Sequence, residues 1–230
     1  APIITNGPDT AGLTETDAAL NTSGTLTVDD VDTTDVVTAS VSGIVVSGTS
    51  DRTDAAAPSD AALQAMLTVA PITILDGTQN TNTLTWTFDS GTEAFDYLAT
   101  GETLILTYTV QVIDDDGTPL NDTETVTITI TGSNDAPIIT NGPDTAGLTE
   151  TDAALNTSGT LTVGDVDTTD VVTASVSNLI VSGTSDRSDA AAPNDAALQA
   201  MLTVAPTTIL DGTQNTNTLT WTFDSGTEAF

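Results

Sequence analysis

The sequence has no cysteine and no histidine, and its only basic side chains are Arg52 and Arg187. Without cysteine there are no disulfides, so an aliphatic core or bound metal must hold the fold. Without cysteine and histidine, zinc and copper lose their usual ligands. With lysine also absent, the common base and nucleophile pairs of group transfer are missing, and no enzyme activity is expected. Aromatic residues make up 3% of the chain, so the core must be built from Val, Ile and Leu. No apolar run approaches the ~20 residues that span a bilayer, and no leader pattern is visible. Beginning at Ala1-Pro2, the chain reads as an excerpt of something longer.

Acid is abundant: 33 Asp and Glu give a formal net charge of -31. A polyanion of this kind does not bind nucleic acid or insert into an anionic membrane, and it attracts cations. Composition still favours order, because hydrophobic residues reach 38% and Thr is frequent. β-Branched residues prefer strands.

The chain repeats itself. Ala1-Pro2-Ile3-Ile4-Thr5-Asn6-Gly7 returns as Ala136-Pro137-Ile138-Ile139-Thr140-Asn141-Gly142, a period of 135 residues, and the match continues to Phe95 and Phe230. The differing pairs are Asp29/Gly164, Gly43/Asn178, Ile44/Leu179, Val45/Ile180, Thr53/Ser188, Ser59/Asn194 and Ile72/Thr207. Two domains follow, 1–135 and 136–230. The second copy has no counterpart of Asp96 to Asp135. The expectation is that those strands come from continuation of the natural chain or from a neighbouring molecule.

Alternation with period two predicts strands. Val126, Ile128 and Ile130 alternate with Thr125, Thr127, Thr129 and Thr131. Leu104 to Val112 and Thr83 to Phe88 alternate in the same way. Weaker strands are expected at 2–5, 24–28, 36–41, 44–48 and 67–75. Pro58 to Leu67 is instead rich in helix formers. Ser59 is the expected N-cap, replaced by Asn194 in the second copy, and Leu63, Met66 and Leu67 form the apolar face. Glu93 to Leu98 is expected to add a helical turn that plugs the core. The fold class is therefore all-β: tandem sandwiches, each with a short helical insertion. Trp86 and Trp221 fit the core better than a sugar platform.

The acids gather in loops. The groups are Glu15 with Asp17; Asp29, Asp30, Asp32 and Asp35; Asp114, Asp115 and Asp116; and Asn134 with Asp135. The second copy repeats them as Glu150 with Asp152, and as Asp165, Asp167 and Asp170. One such cluster alone reads as solvated turn residues. Four per unit, with almost no counter-cations, read as cation sites. Two like charges ~4 Å apart repel by ~4 kcal/mol at an effective dielectric of ~20. Calcium, which takes six to eight oxygen ligands, offsets that repulsion. Asp30-Val31-Asp32 places two carboxylates on one side of a loop. It is not an EF-hand, because Asp35 stands where glycine is required and no helices flank it. Asp29 is set aside because its partner is Gly164.

Thr127-Ile128-Thr129-Ile130-Thr131-Gly132-Ser133-Asn134-Asp135-Ala136-Pro137 resembles the VCBS repeats of large bacterial RTX adhesins. Phe95-Asp96-Tyr97-Leu98-Ala99-Thr100-Gly101-Glu102-Thr103-Leu104 and Ser23-Gly24-Thr25-Leu26-Thr27-Val28 with Asp30-Val31-Asp32 resemble that family's other motifs. The resemblance covers both copies, although the helical insertion lengthens the unit and the glycine-rich RTX nonapeptide is absent. It implies cadherin-like or immunoglobulin-like sandwiches, Ca²⁺ binding, type I secretion and an extracellular, cell-surface location. By similarity to cadherin linkers, Asn134 and Asp135 lie at the junction. Glu150, Asp165, Asp167 and Asp170 from the following copy are expected to meet Asp114 and Asp116 from the preceding one there. The expected partners are neighbouring repeats, and other copies in a filament or biofilm matrix. The leading expectation is a calcium-stiffened extender repeat supporting adhesion and biofilm cohesion. The alternatives are a filament subunit completed by strands from another chain, and a calcium-dependent glycan-binding module.

Overall fold

The alternating segments form strands in the computed structural model, which describes residues 1–228 and 230. The chain divides into two units, Ala1–Asn134 and Asp135–Phe230.

Unit 1 is a β-sandwich. One sheet contains β1 (Ile3–Ile4), β3 (Asn21–Asp29), β7 (Thr81–Asp89) and β5 (Leu67–Ala70), in the order β1-β3-β7-β5. The other contains β2 (Asp9–Thr14), β9 (Asn121–Thr131), β8 (Thr103–Ile113), β4 (Val36–Gly48) and β6 (Thr73–Asp76), in the order β2-β9-β8-β4-β6. β8 and β9 alternate as their sequence predicts, with Leu104, Leu106, Tyr108, Val110, Val112, Val126, Ile128 and Ile130 fully buried. They face Leu26, Val28, Leu84, Trp86 and Phe88 across the core. The Trp86 indole N–H donates to Asp9 Oδ2 at 2.8 Å, so its polar edge is satisfied while its ring packs.

Two expected segments differ from the sequence reading. The stretch 67–75 is not one strand. The chain crosses between sheets at Pro71, which follows a cis peptide bond, and β5 and β6 lie in different sheets. The stretches 36–41 and 44–48 are instead one strand, whose register shifts between Val41 and Gly43. β2 was not expected, because Asp9-Thr10-Ala11-Gly12-Leu13-Thr14 has only small or single apolar residues at its inward positions.

The insertion forms α1 (Asp60–Ala65). Ser59 caps it, its hydroxyl accepting from the Ala62 N–H at 3.3 Å. Leu63 is buried, and the Tyr108 hydroxyl donates to the Leu63 carbonyl at 2.8 Å, which ties α1 to β8. Residues 93–98 form turns rather than a helix. Phe95 has a positive φ of 69°, and Phe95, Tyr97 and Leu98 still plug the core.

Unit 2 contains β10 (Ile138–Ile139), β11 (Asn156–Gly164), β12 (Val171–Thr173), α2 (Asp195–Ala200), β13 (Leu202–Ala205), β14 (Thr208–Asp211) and β15 (Thr216–Asp224). β10-β11-β15-β13 reproduces the first sheet of unit 1, and β12 pairs with β14. The counterpart of β4 shrinks from thirteen residues to three. In unit 1 that strand bonds to β8 over its length. Ile180 is 84% exposed, and the core contracts to Val163, Val172, Ile209, Leu210 and Leu219.

Candidate metal centres

In unit 1 the acidic loops gather into two groups, one at each end of β9. The first is built on the β3–β4 loop. There the Asp32 N–H donates to Asp30 Oδ1 at 3.0 Å, and the Asp35 N–H donates to the Asp32 carbonyl at 3.0 Å. This tight turn aims Asp30 and Asp35 at Asp114, which follows β8. Carboxylate oxygens of Asp30, Asp35 and Asp114 lie within 4.8 Å of one another. The three residues are only 3%, 7% and 4% exposed. Asp114 Oδ1 accepts from the Leu120 N–H at 2.9 Å, while the Oδ2 atoms of all three residues are buried without a hydrogen-bond partner. The terminal ammonium of Ala1 stands 3.5 Å from Asp30, 3.8 Å from Asp32 and 4.0 Å from Asp114. Burial pushes the Asp35 carboxyl above its usual range, helped by the charges of Asp116, Asp32, Asp30 and Asp114. Asp32 and Asp116 are exposed and rim the group. Asp115 accepts from the Val36 N–H at 2.9 Å and fastens the loops together.

The second group lies where β2 and β9 end. Glu15 is 1% exposed, and its Oε2 accepts from the Ser133 N–H at 3.0 Å and the Ser133 hydroxyl at 2.8 Å. Glu15 Oε1 is buried without a partner, as is Asp96 Oδ1. Carboxylate oxygens of Glu15, Asp17 and Asp96 also lie within 4.8 Å of one another. Burial raises the Asp96 carboxyl, with the charges of Glu15 and Asp17 adding to it. Sequence reasoning missed Asp96 as a member of this group because it was assigned to a helical plug. The signal was the Phe95-Asp96-Tyr97-Leu98 motif itself.

This sorting corrects one expectation. Asp114 and Asp116 do not stand at the end of unit 1 that leads to the next copy. β8 runs antiparallel to β9, with Ile113 opposite Asn121, so it delivers Asp114 to the end that holds Asp30 and Asp35. Ser133 and Glu15 mark the other end. Asn134 closes unit 1. Asp135 opens unit 2, where its N–H donates to Asp167 Oδ2 at 2.7 Å. The Asp167 N–H donates to Asp165 Oδ1 at 3.2 Å, and the Asp170 N–H donates to the Asp167 carbonyl at 2.9 Å. The loop thus repeats the turn of unit 1. Asp165 and Asp167 are buried, Asp170 is half-buried and Glu150 is exposed.

Buried carboxylate oxygens without donors are costly unless a cation or proton reaches them. All the donors are hard oxygens, which suits calcium and not zinc or copper. Asp30, Asp35 and Asp114 would hold one ion. Glu15, Asp17 and Asp96 would supply ligands to another.

No protein-family profile and no curated protein matches the chain. Among solved structures it is similar to AggA, the major subunit of aggregative adherence fimbriae type I from Escherichia coli, at 13% identity and a TM-score of 0.35, covering 57% of this chain and 95% of that one. It is also similar to the PapD-like domain 7 of human CEP192, at 16% identity and a TM-score of 0.33, covering 57% and 84%. A third likeness is to the zebrafish RET cadherin-like domains 1 to 4, at 12% identity and a TM-score of 0.26, covering 97% of this chain and 43% of that one. Likenesses of this strength assign no function.

Proposed function

We propose that each repeat is an extender module of a secreted bacterial surface adhesin of the VCBS type, stiffened by calcium at the junctions between repeats. The observation that carries this reading is the set of three buried carboxylates, Asp30, Asp35 and Asp114, whose Oδ2 atoms lack any donor. A fold with a net stability of ~5–15 kcal/mol does not tolerate several such groups without compensation. A cation that binds only the folded form stabilises it by mass action. The module has no catalytic role. It spaces a distant binding domain from the cell and supports biofilm cohesion. The test is a chelator titration at low salt, followed by calorimetry and small-angle scattering. Removing calcium is expected to lower the melting temperature and raise the radius of gyration. If neither changes, the calcium role is wrong.

A second reading is a filament subunit completed by strands from another chain. Regular fibres in negative stain would support it, and isolated rods would count against it.

A further inference from the structure

Every strand pair in unit 1 is antiparallel except one, among the described residues. β2 and β9 pair in parallel through six register pairs, from Asp9 opposite Val126 to Thr14 opposite Thr131. β2 lies near the start of the unit, and β9 is its last strand. Tension carried along the chain therefore enters at Asp9 and leaves at Thr131. In a parallel pair those points are opposite ends of the ladder, so the load slides one strand along the other and strains the bonds together. In an antiparallel pair both loads would act at one end, and the bonds would open in turn.

Both ends of this pair are fastened. At the exit, the Glu15 N–H donates to the Thr131 carbonyl at 2.8 Å, and Ser133 binds the Glu15 carboxylate through its N–H and hydroxyl. At the entry, Asp9 accepts from the Trp86 indole, and the Ile4 N–H donates to Asp122 Oδ2 at 2.8 Å. β1, only two residues long and antiparallel to β3, lies outside the pair.

We propose that the β2–β9 pair is a shear clamp that sets the force at which the repeat unfolds, making the unit a load-bearing link. The clamp is a property of backbone pairing and needs no cation, so it stands or falls apart from the calcium reading.

The test is force spectroscopy on the 230-residue chain held by its termini, in chelator and again in calcium. Release of the clamp frees about 120 residues, a contour gain on the order of 400 Å. Proline is then placed in turn at Ala11 and at Gly12. Neighbouring amides of a strand point to opposite sides, so one variant loses an N–H that bonds to β9 and the other loses one that faces solvent. β2 is an edge strand, where proline is tolerated, and Gly12 has open space around it. One variant is expected to unfold about fivefold faster at fixed force, the rate equivalent of one backbone hydrogen bond. Its neighbour is expected to behave like the parent. Leu84→Ala, a buried truncation on the opposite sheet that leaves the β2–β9 backbone bonds in place, should lower the melting temperature more and the rupture force less. The proposal is overturned if neither proline changes the rate, or if the force follows melting temperature across the three variants. A calcium effect on the parent bears on the extender reading and leaves this comparison intact.

Discussion

Asp114→Asn separates a metal ligand from a turn residue. Asn keeps the oxygen that accepts the Leu120 N–H and replaces Oδ2, which has no hydrogen-bond partner and only the Ala1 ammonium 4.0 Å away, with an amide nitrogen. Without a cation, the change removes one of three converging negative charges and should stabilise unit 1. With calcium it removes a ligand. A site filled at ~100 times its dissociation constant contributes ~2.7 kcal/mol. For a unit of this length, 1 kcal/mol corresponds to about 4 °C. Loss of the site should therefore lower the melting temperature by roughly 10 °C in saturating calcium. In chelator the sign should reverse and the melting temperature should rise. Differential scanning calorimetry of parent and variant in both buffers gives the four values. Equal destabilisation in both buffers would refute the reasoning, because Asp114 would then serve only to close the turn to Leu120.

The pH dependence of the metal-free protein should follow the same logic. Asp35 and Asp96 are raised above the ordinary 3.8, so their stabilising contribution is present below that value and is lost as pH rises through their folded values. Asp51 and Asp76 are lowered by hydrogen bonds from Thr53 and Thr78, so their contribution is present above 3.8 and fades as pH falls below it. In chelator the melting temperature should thus peak in mild acid and fall toward neutrality, and a steady rise from pH 4 to 7 would contradict the assignment. Gly24→Ala should cost about 1–3 kcal/mol by overpacking, because a Cβ there overlaps the buried Trp86 indole, and guanidinium unfolding should show an earlier midpoint.

The strands easiest to read were those with one strongly apolar face. β7, β8 and β9 pack Leu, Ile, Val and aromatic residues inward and Thr outward, so period and burial coincide. The α1 cap was legible because Ser59 and Asn194 perform the same local task. β2 was not, since its inward positions are weakly apolar and its existence depends on β9 as a template. The gathering of acids into loops was legible by residue type alone. Which loops meet was not, because spacing along the chain does not say to which end of the sandwich a strand returns. Asp114 was placed at the wrong end for that reason, and Asp96 was hidden inside a segment assigned to packing.

The two copies of the β4 sequence differ at three aligned positions, yet one is a thirteen-residue strand and the other keeps only three residues in register. Extended structure here is conferred by the partner rather than by the segment's own preference. The hairpin formed by β8 and β9 consequently has two near-identical acceptors within a single polypeptide. During refolding from denaturant, docking onto the later acceptor competes with docking onto the earlier one, a kinetic hazard that sequence divergence between tandem modules relieves.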